Sequence, residues 1–360
     1  MTEPTGNLPV DMAPGRAPTL ADVARMAGVS TATVSRCLND PARVVGPTRD
    51  RVLAAVDALG YSPNFSARAL AVRSTSTLGV VIPTMDNAIF ARGVQAFQEE
   101  LGRNNKTLLI ASSGYRADLE AAQIRTLVAR GADALLLIGL DRSAEIYAFL
   151  RRRNVPTVAA WCFAPDAPLP CVGFDNVAAM ADLARQVLGH GHRRLGMISA
   201  PVASNDRARG RAAGVRLAMA EAGLPADALT LVETDYGIET GAAALHDILA
   251  RAPDTTAVMC GNDVLAVGAL RAARQAGLRV PDDISITGFD DIDLATLAEP
   301  GLTTVHVPHR DMGRRAARAL LDAIDSGGRP VGIALATEIR HRGSLAAAPR
   351  ASGVPPTPRQ

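Results

Sequence analysis

The sequence lacks the features that usually announce an enzyme, a metalloprotein or a membrane protein. Its four cysteines (Cys37, Cys162, Cys171, Cys260) form no C-x-x-C pair, and no spacing joins them to the six histidines as a zinc site would require. His190-Gly191-His192 reads as a surface loop between a helix and a strand, without a third metal ligand. There is no G-x-G-x-x-G, no phosphate-cradling G-x-x-x-x-G-K-[ST] and no G-x-S-x-G nucleophile elbow. The expectation is therefore no metal, no cofactor and no catalytic acid–base pair. No apolar run approaches the roughly 18 residues needed to cross a bilayer, and Met1–Pro18 lacks the apolar stretch of a secretory signal. These absences point to a cytoplasmic protein with reduced thiols and no membrane partner. Lysine is nearly missing as well: of 38 basic residues only Lys106 is not arginine, which reads as a composition bias and not as a binding signal.

What is present is globular, with 48% hydrophobic and 21% charged residues. Only the Pro/Gly-rich ends, residues 1–17 and 347–360, read as disordered tails. The net charge of +2 says little about nucleic acid, but between Pro18 and Thr75 seven arginines face four aspartates. In that segment Thr19 is placed to cap a helix over Leu20–Ala27, and Gly28-Val29 makes a turn. Ser30 then caps a second helix, Thr31–Leu38, with Val34 and Leu38 inward and Thr31, Ala32, Ser35 and Arg36 outward. Pro47 opens a third helix ending at Gly60, with Val52, Leu53, Val56 and Leu59 inward. Three short helices, the first two joined by a tight turn, describe a helix-turn-helix over residues 18–63. A recognition helix needs small or polar residues at its start and a longer charged one further on, and the second helix supplies both. The same face would also suit a solvated helix of an unrelated three-helix unit. Residues 64–75 are too short and too little apolar for an independent helix and read as a hinge.

From Leu78 the pattern changes to alternating strands and helices. Expected strands are Leu78–Ile82, Thr107–Ala111, Ala134–Ile138 and Pro156–Ala160, then Arg194–Ser199, Leu229–Thr234, Ala257–Cys260 and Ile284–Gly288. Helices such as Arg207–Ala222 and Asp263–Ala276 intervene. Short apolar strands alternating with helices give parallel sheets covered on both faces. Two such series imply two Rossmann-like lobes over residues 76–346, the first from 76–175 plus 305–330 and the second from 176–304 plus 331–346. A ligand cleft is expected beyond the carboxyl ends of the strands, between the lobes.

The segments Thr19-Leu20-Ala21-Asp22-Val23-Ala24, Gly28 through Arg36, Leu38-Asn39 and Leu59 through Asn64 resemble the headpiece of the lactose/galactose repressor family. The likeness continues through Leu78–Pro83, Gly261-Asn262-Asp263, Gly288-Phe289-Asp290-Asp291 and Leu302-Thr303-Thr304-Val305, and so covers about Pro18 to Arg342 with order and spacing kept. It implies an α/β protein: a helix-turn-helix headpiece followed by a two-lobed, type I periplasmic-binding-protein-like domain. It also implies a homodimer on double-stranded operator DNA, acting as a repressor under the control of a small-molecule effector.

By that resemblance Thr31, Ala32 and Arg36 read bases. The first two would do so through a hydroxyl and a methyl contact, Arg36 through guanine or, alternatively, a phosphate. Thr19, Ser30, Thr33 and Ser35 fall at phosphate-contacting or capping positions, with Leu20, Asn39, Asn64 and Ala67 at the same interface. Leu70 falls where the family wedges a leucine between base pairs from the minor groove. For the effector the implied residues are Arg211 and Asp263, with Tyr236 stacking. Arg207 or Asp206 shares the site or serves only as cap or surface charge, and Trp161 walls the cleft or packs in the core. Asp290, Asn87 and Phe90 are further candidates. The arginines and the aspartate lean toward a sugar or sugar acid acting as inducer, with a purine or other metabolite acting as corepressor as the alternative. A periplasmic sugar receptor would share the two lobes, but it would need a signal peptide and carry no headpiece.

Overall fold

A computed structural model describes residues 16–62, 74–85 and 88–349. Asn64, Ala67, Leu70 and Asn87 lie outside the described residues. The chain divides into two units at Thr75–Ser76.

In the first unit α1 (Leu20–Ala27) starts with a capping box. The Thr19 hydroxyl accepts the Asp22 N–H, and the Asp22 carboxylate accepts the Thr19 N–H, so two otherwise orphan donors are satisfied. Gly28 ends the helix in the left-handed region at φ +64°, where a side chain would be strained. Ser30 caps α2 (Thr31–Asn39), and Gly60 closes α3 (Gly46–Leu59). Val23, Ala24, Ala27, Val34, Cys37, Val52 and Ala55 form the core. The third helix turns in Val52 and Ala55 with Val56 and Leu59 at the margin, while Leu53 is exposed, contrary to the expectation. The spacing 52, 55, 56, 59 is one helical stripe, and Leu53 falls about 60° beyond its edge.

The second unit holds two six-stranded sheets among the described residues. The N-terminal sheet comprises β1 (Thr77–Ile82), β2 (Thr107–Ser112), β3 (Ala134–Ile138), β4 (Thr157–Ala160) and β5 (Cys171–Gly173). The C-terminal sheet comprises β6 (Leu195–Ser199), β7 (Leu229–Glu233), β8 (Ala257–Cys260), β9 (Ser285–Asp290) and β10 (Thr303–His306). Two short late strands complete them. β11 (Ile333–Ala334) pairs parallel with β5, and β12 (Glu338–Arg340) runs antiparallel to β10. The central strands β1 and β3 are buried along nearly their whole length, as strands covered on both faces must be.

Helices α4 (Ala88–Arg103), α5 (Ala117–Ala129) and α6 (Ala144–Arg153) follow the first strands, and α7 (Asn176–Gly189) opens the second lobe. There α8 (Asp206–Glu221), α9 (Ile238–Arg251), α10 (Asp263–Gln275) and the short α11 (Asp293–Leu297) surround the second sheet. The last helix, α12 (His309–Ser326), returns to pack on α4 so closely that a Cβ at Gly313 would collide with the backbone of Gly93.

The lobe boundaries thus differ from the expectation at two points. Thr303–His306 completes the C-terminal sheet, so the chain returns to the first lobe only after His306. Ile333–Ala334 pairs with Val172 and Gly173 of the first sheet, so that lobe extends past 330. Strands of two to four residues carry no readable period, and their ladder partners alone assign them.

Candidate functional site

On the headpiece, Thr31, Ala32, Arg36 and Asn39 are exposed, with Thr33 and Ser35 partly so. Local bonds already employ several of the polar groups. Ser30 Oγ accepts the Thr33 N–H at 3.1 Å, and Asn39 Nδ2 donates to Ser35 Oγ at 3.3 Å. Thr19 Oγ1 donates to Asp22 at 2.6 Å, and Leu20 packs against the headpiece core. Arg25 pairs with Asp22 and Arg43 with Asp40, whereas Arg36 makes no ion pair among the described residues. Its guanidinium is the long uncommitted donor on that face.

In the second unit the carboxyl ends of β1, β2 and β3 open onto a cavity of about 360 Å³. Pro83, Ser113, Tyr115 and Arg142 line it from one lobe, Ser204, Asp206 and Arg207 from the other. The first turn of α8 holds the lobes together here. Asp206 Oδ2 accepts the Leu140 N–H at 2.6 Å, and Arg209 pairs with Asp141 at 2.6 Å. Arg207, almost fully buried, pairs with the other Asp206 oxygen at 2.9 Å. Tyr115 and Tyr236 face one another across the lobes with ring centroids 5.8 Å apart.

Deeper, Arg211 is buried with its guanidinium 3.8 Å from the centre of the Phe289 ring, its Nε donating to Asn176 Oδ1 at 3.0 Å and Nη1 to the Gly261 carbonyl. Asp290 lies 3.7 Å from Arg211 Nη2 and is fully buried, yet neither carboxylate oxygen has a hydrogen-bond partner among the described residues. Burial pushes this carboxyl up to about 6, against the pull of Arg211 and Arg207. Its backbone sits at φ +102°, a region that a non-glycine residue occupies only when its surroundings hold it there. The Asn262 Nδ2 and Ser199 Oγ are likewise buried and unpartnered among the described residues. Unmet polar groups of this kind cost free energy unless something satisfies them.

Three expected effector residues stand elsewhere. Asp263 spends both oxygens inside the protein, accepting the Ile292 N–H at 2.8 Å and the Thr304 hydroxyl at 2.6 Å. Burial, and then the neighbouring Asp290, push it up to about 8. Trp161 is 1% exposed, packed edge-on to Phe90, and its Nε1–H donates to His309 Nδ1 at 3.1 Å. It is a core residue, not a cleft wall, because its one polar atom is satisfied internally. Phe90 is buried in the same core. An indole only donates, so His309 keeps its proton on Nε2 and donates it to the Asp290 carbonyl at 3.2 Å. Burial drives the His309 imidazole down to about 3, so it is neutral. The surface-loop reading of the histidine pair holds only for His190. His192 is wholly buried, its ring nitrogens within 3.0 Å of Thr256 Oγ1 and the Ala346 carbonyl. No group of three or more metal-ligating side chains occurs among the described residues. Nor is any described helix long and apolar enough to cross a membrane.

Asn176, Asn262, Tyr115 and His309 escaped sequence reasoning. The only signals for the first two were their places at strand–helix junctions, which a helix cap explains equally well.

Residues 19–64 match the family described as bacterial regulatory proteins, lacI family, and residues 184–345 the periplasmic binding protein-like domain. The regulator MalR of Streptomyces coelicolor is 37% identical, over 93% of this chain and 99% of its own length. The chain belongs to the lacI family. Among solved structures of this family, the lac repressor dimer bound to operator and the anti-inducer ONPF is 25% identical with a TM-score of 0.81, over 92% of this chain and all of the other. The regulator CelR in complex with cellobiose is 30% identical with a TM-score of 0.66, over 91% of this chain and 99% of the other. As a lacI-family member the chain is a DNA-binding transcription regulator, not an enzyme.

Proposed function

We propose that the protein is a cytoplasmic homodimeric repressor whose hold on a pseudo-palindromic operator is released by a polyhydroxylated effector, a sugar or sugar acid, bound between the lobes. Base reading falls to Thr31, Ala32 and Arg36, effector binding to Arg211, Asp290, Asn262, Arg207 and Tyr236. One observation carries the choice of ligand: Asp290 is a buried carboxylate beside a buried arginine, with neither oxygen hydrogen-bonded among the described residues. An acceptor pair next to a donor fork matches adjacent hydroxyls, which both donate and accept, and the arginine also suits a carboxylate. The CelR–cellobiose complex supports a sugar in a relative of this architecture. A flat heteroaromatic ligand is the second reading, with one ring of the tilted Tyr115–Tyr236 pair as its stacking surface.

The test is a calorimetric screen of the full-length protein against neutral sugars, sugar acids and purine bases, followed by a gel shift on the DNA upstream of its own gene. A hydroxylated ligand should bind the wild type, fail to bind Asp290→Asn, and release the operator. Binding of purines alone would overturn the polyol reading.

A further inference from the structure

We propose that Cys162 and Cys171 form a hydroperoxide-sensitive thiol pair that closes to a disulfide, and that the closure is felt at the buried Arg211. The two sulfurs stand 4.0 Å apart, Cys171 opening β5 opposite Ala159 of β4 and Cys162 two residues past the last residue of β4. A disulfide needs about 2.05 Å, so an approach of about 2 Å suffices, and the eight-residue connection 163–170 is free of helix or strand to absorb it. Cys37 and Cys260, also buried, have no cysteine beside them and serve as internal controls.

Both thiols of the pair are buried, but the cleft is close. Arg142 and Asp206, which line its cavity, act electrostatically on Cys171, and Asp206 and Arg207 on Cys162. Within the pair Cys162 donates toward Cys171, which holds the Cys171 thiol below its usual range while pushing that of Cys162 up. The Cys171 Sγ–H donates to the Leu169 carbonyl at 3.4 Å while accepting from Cys162 at 4.0 Å, so Cys171, relieved of that one proton, is the attacking sulfur. Its thiolate attacks one oxygen of a hydroperoxide, the O–O bond breaks, and the alkoxide leaves with a proton as alcohol (water, for hydrogen peroxide). The resulting sulfenic acid is attacked by the Cys162 sulfur, the S–O bond breaks and water leaves. Two thiols thereby lose two electrons and two protons, and one hydroperoxide becomes one alcohol and one water.

The route to Arg211 is short. Cys162 follows Trp161, whose carbonyl accepts from Asn176 Nδ2 at 3.0 Å, and Asn176 Oδ1 accepts from Arg211 Nε at 3.0 Å. The Cys162 backbone has little slack, since a Cβ on Gly173 would sit 2.7 Å from its carbonyl oxygen. Closing the pair therefore displaces Trp161 and the asparagine that positions the arginine. Any consequence for the effector rests on the function proposed above, whereas the disulfide itself does not.

The experiment uses full-length protein, reduced, freed of reductant and treated with hydrogen peroxide, then denatured and alkylated. Trypsin leaves both cysteines on one peptide, residues 154–185, because no arginine or lysine intervenes. We expect that peptide to appear lighter by two hydrogens and without alkyl label, while Cys37 and Cys260 remain fully alkylated. Trp161, the only tryptophan, should lose fluorescence on oxidation and recover it with dithiothreitol, in the wild type but not in Cys162→Ala or Cys171→Ala. Full alkylation of the peptide after peroxide, oxidation of each sulfur to a separate sulfinic acid, or cross-links between chains would overturn the thiol pair. A disulfide that leaves Trp161 emission unchanged would overturn the link to Arg211.

Discussion

Asp263 and Asp290 both sit at strand ends of the C-terminal lobe, and burial raises both, but their surroundings give them different work. Asp263 has spent its oxygens on Ile292 and Thr304, so Asp263→Ala should cost about 1–3 kcal/mol for each lost bond and act on stability first. The Asp290 oxygens have no hydrogen-bond partner among the described residues, so ionising this buried carboxyl works against folding. Its folded value lies above the ordinary 3.8, near 6. The stability it contributes is therefore present in full below about pH 4 and lost as pH rises through 6. Asp290→Asn should stabilise the ligand-free second unit by up to about 3 kcal/mol at pH 7.5 and by little near pH 4, while abolishing effector binding. Calorimetric melts at the two pH values check this, and an equal gap at both would show that ionisation is not the cause. On the headpiece, Arg36→Ala should weaken operator binding by about 1–3 kcal/mol and relax preference at one base position per half-site. Equal loss on operator and random DNA would instead assign Arg36 to a phosphate.

At the scale of elements, legibility followed local physics. Thr19, Gly28 and Ser30 announce their helix ends because capping is a matter of three or four residues, and the structure puts α1 at the bounds their sequence implies. Thr19→Ala removes one side of a capping box and should cost the headpiece about 1 kcal/mol, read as a lower first transition in thermal circular dichroism. A transition unmoved by the substitution would show that the cap is redundant. The long apolar strands were equally legible, since Leu78–Ile82 and Ala134–Ile138 are too apolar to be anything but buried. Cys171–Gly173, Ile333–Ala334 and Glu338–Arg340 were not, because a three-residue strand exists only through its ladder partner. The site failed in the same way. The family resemblance alone put Arg211 among the effector residues, and neither its burial nor its place beside Asp290 was readable from its position near a helix start. Which of the two carboxylates found partners depended on Thr304 and Ile292, both remote from Asp263 in sequence.

For the whole molecule, the question is what holds the two lobes of the second unit together across the cleft. The first turn of α8 crosses the cleft with two contacts of different character. Arg209–Asp141 is an ion pair with both side chains more than a third exposed, so solvent screens it and it is worth about 0.2–1 kcal/mol. Asp206 is a mostly buried carboxylate accepting the Leu140 N–H while paired with Arg207, a charge-assisted bond of about 1.5–3 kcal/mol. If an effector binds the closed lobes, its apparent affinity scales with the fraction closed. Arg209→Ala and Asp141→Ala should then weaken effector binding by no more than about fivefold each. Their double variant should do no worse than either alone, because they remove the same contact. Asp206→Ala should cost roughly 10-fold or more, with small-angle scattering showing a larger radius for the empty protein. Coupling between sites is reciprocal, so in each variant operator DNA should alter effector affinity by the same factor as the effector alters operator affinity. Asp206→Ala with wild-type scattering but lost effector binding would place Asp206 on the ligand itself, not on the latch.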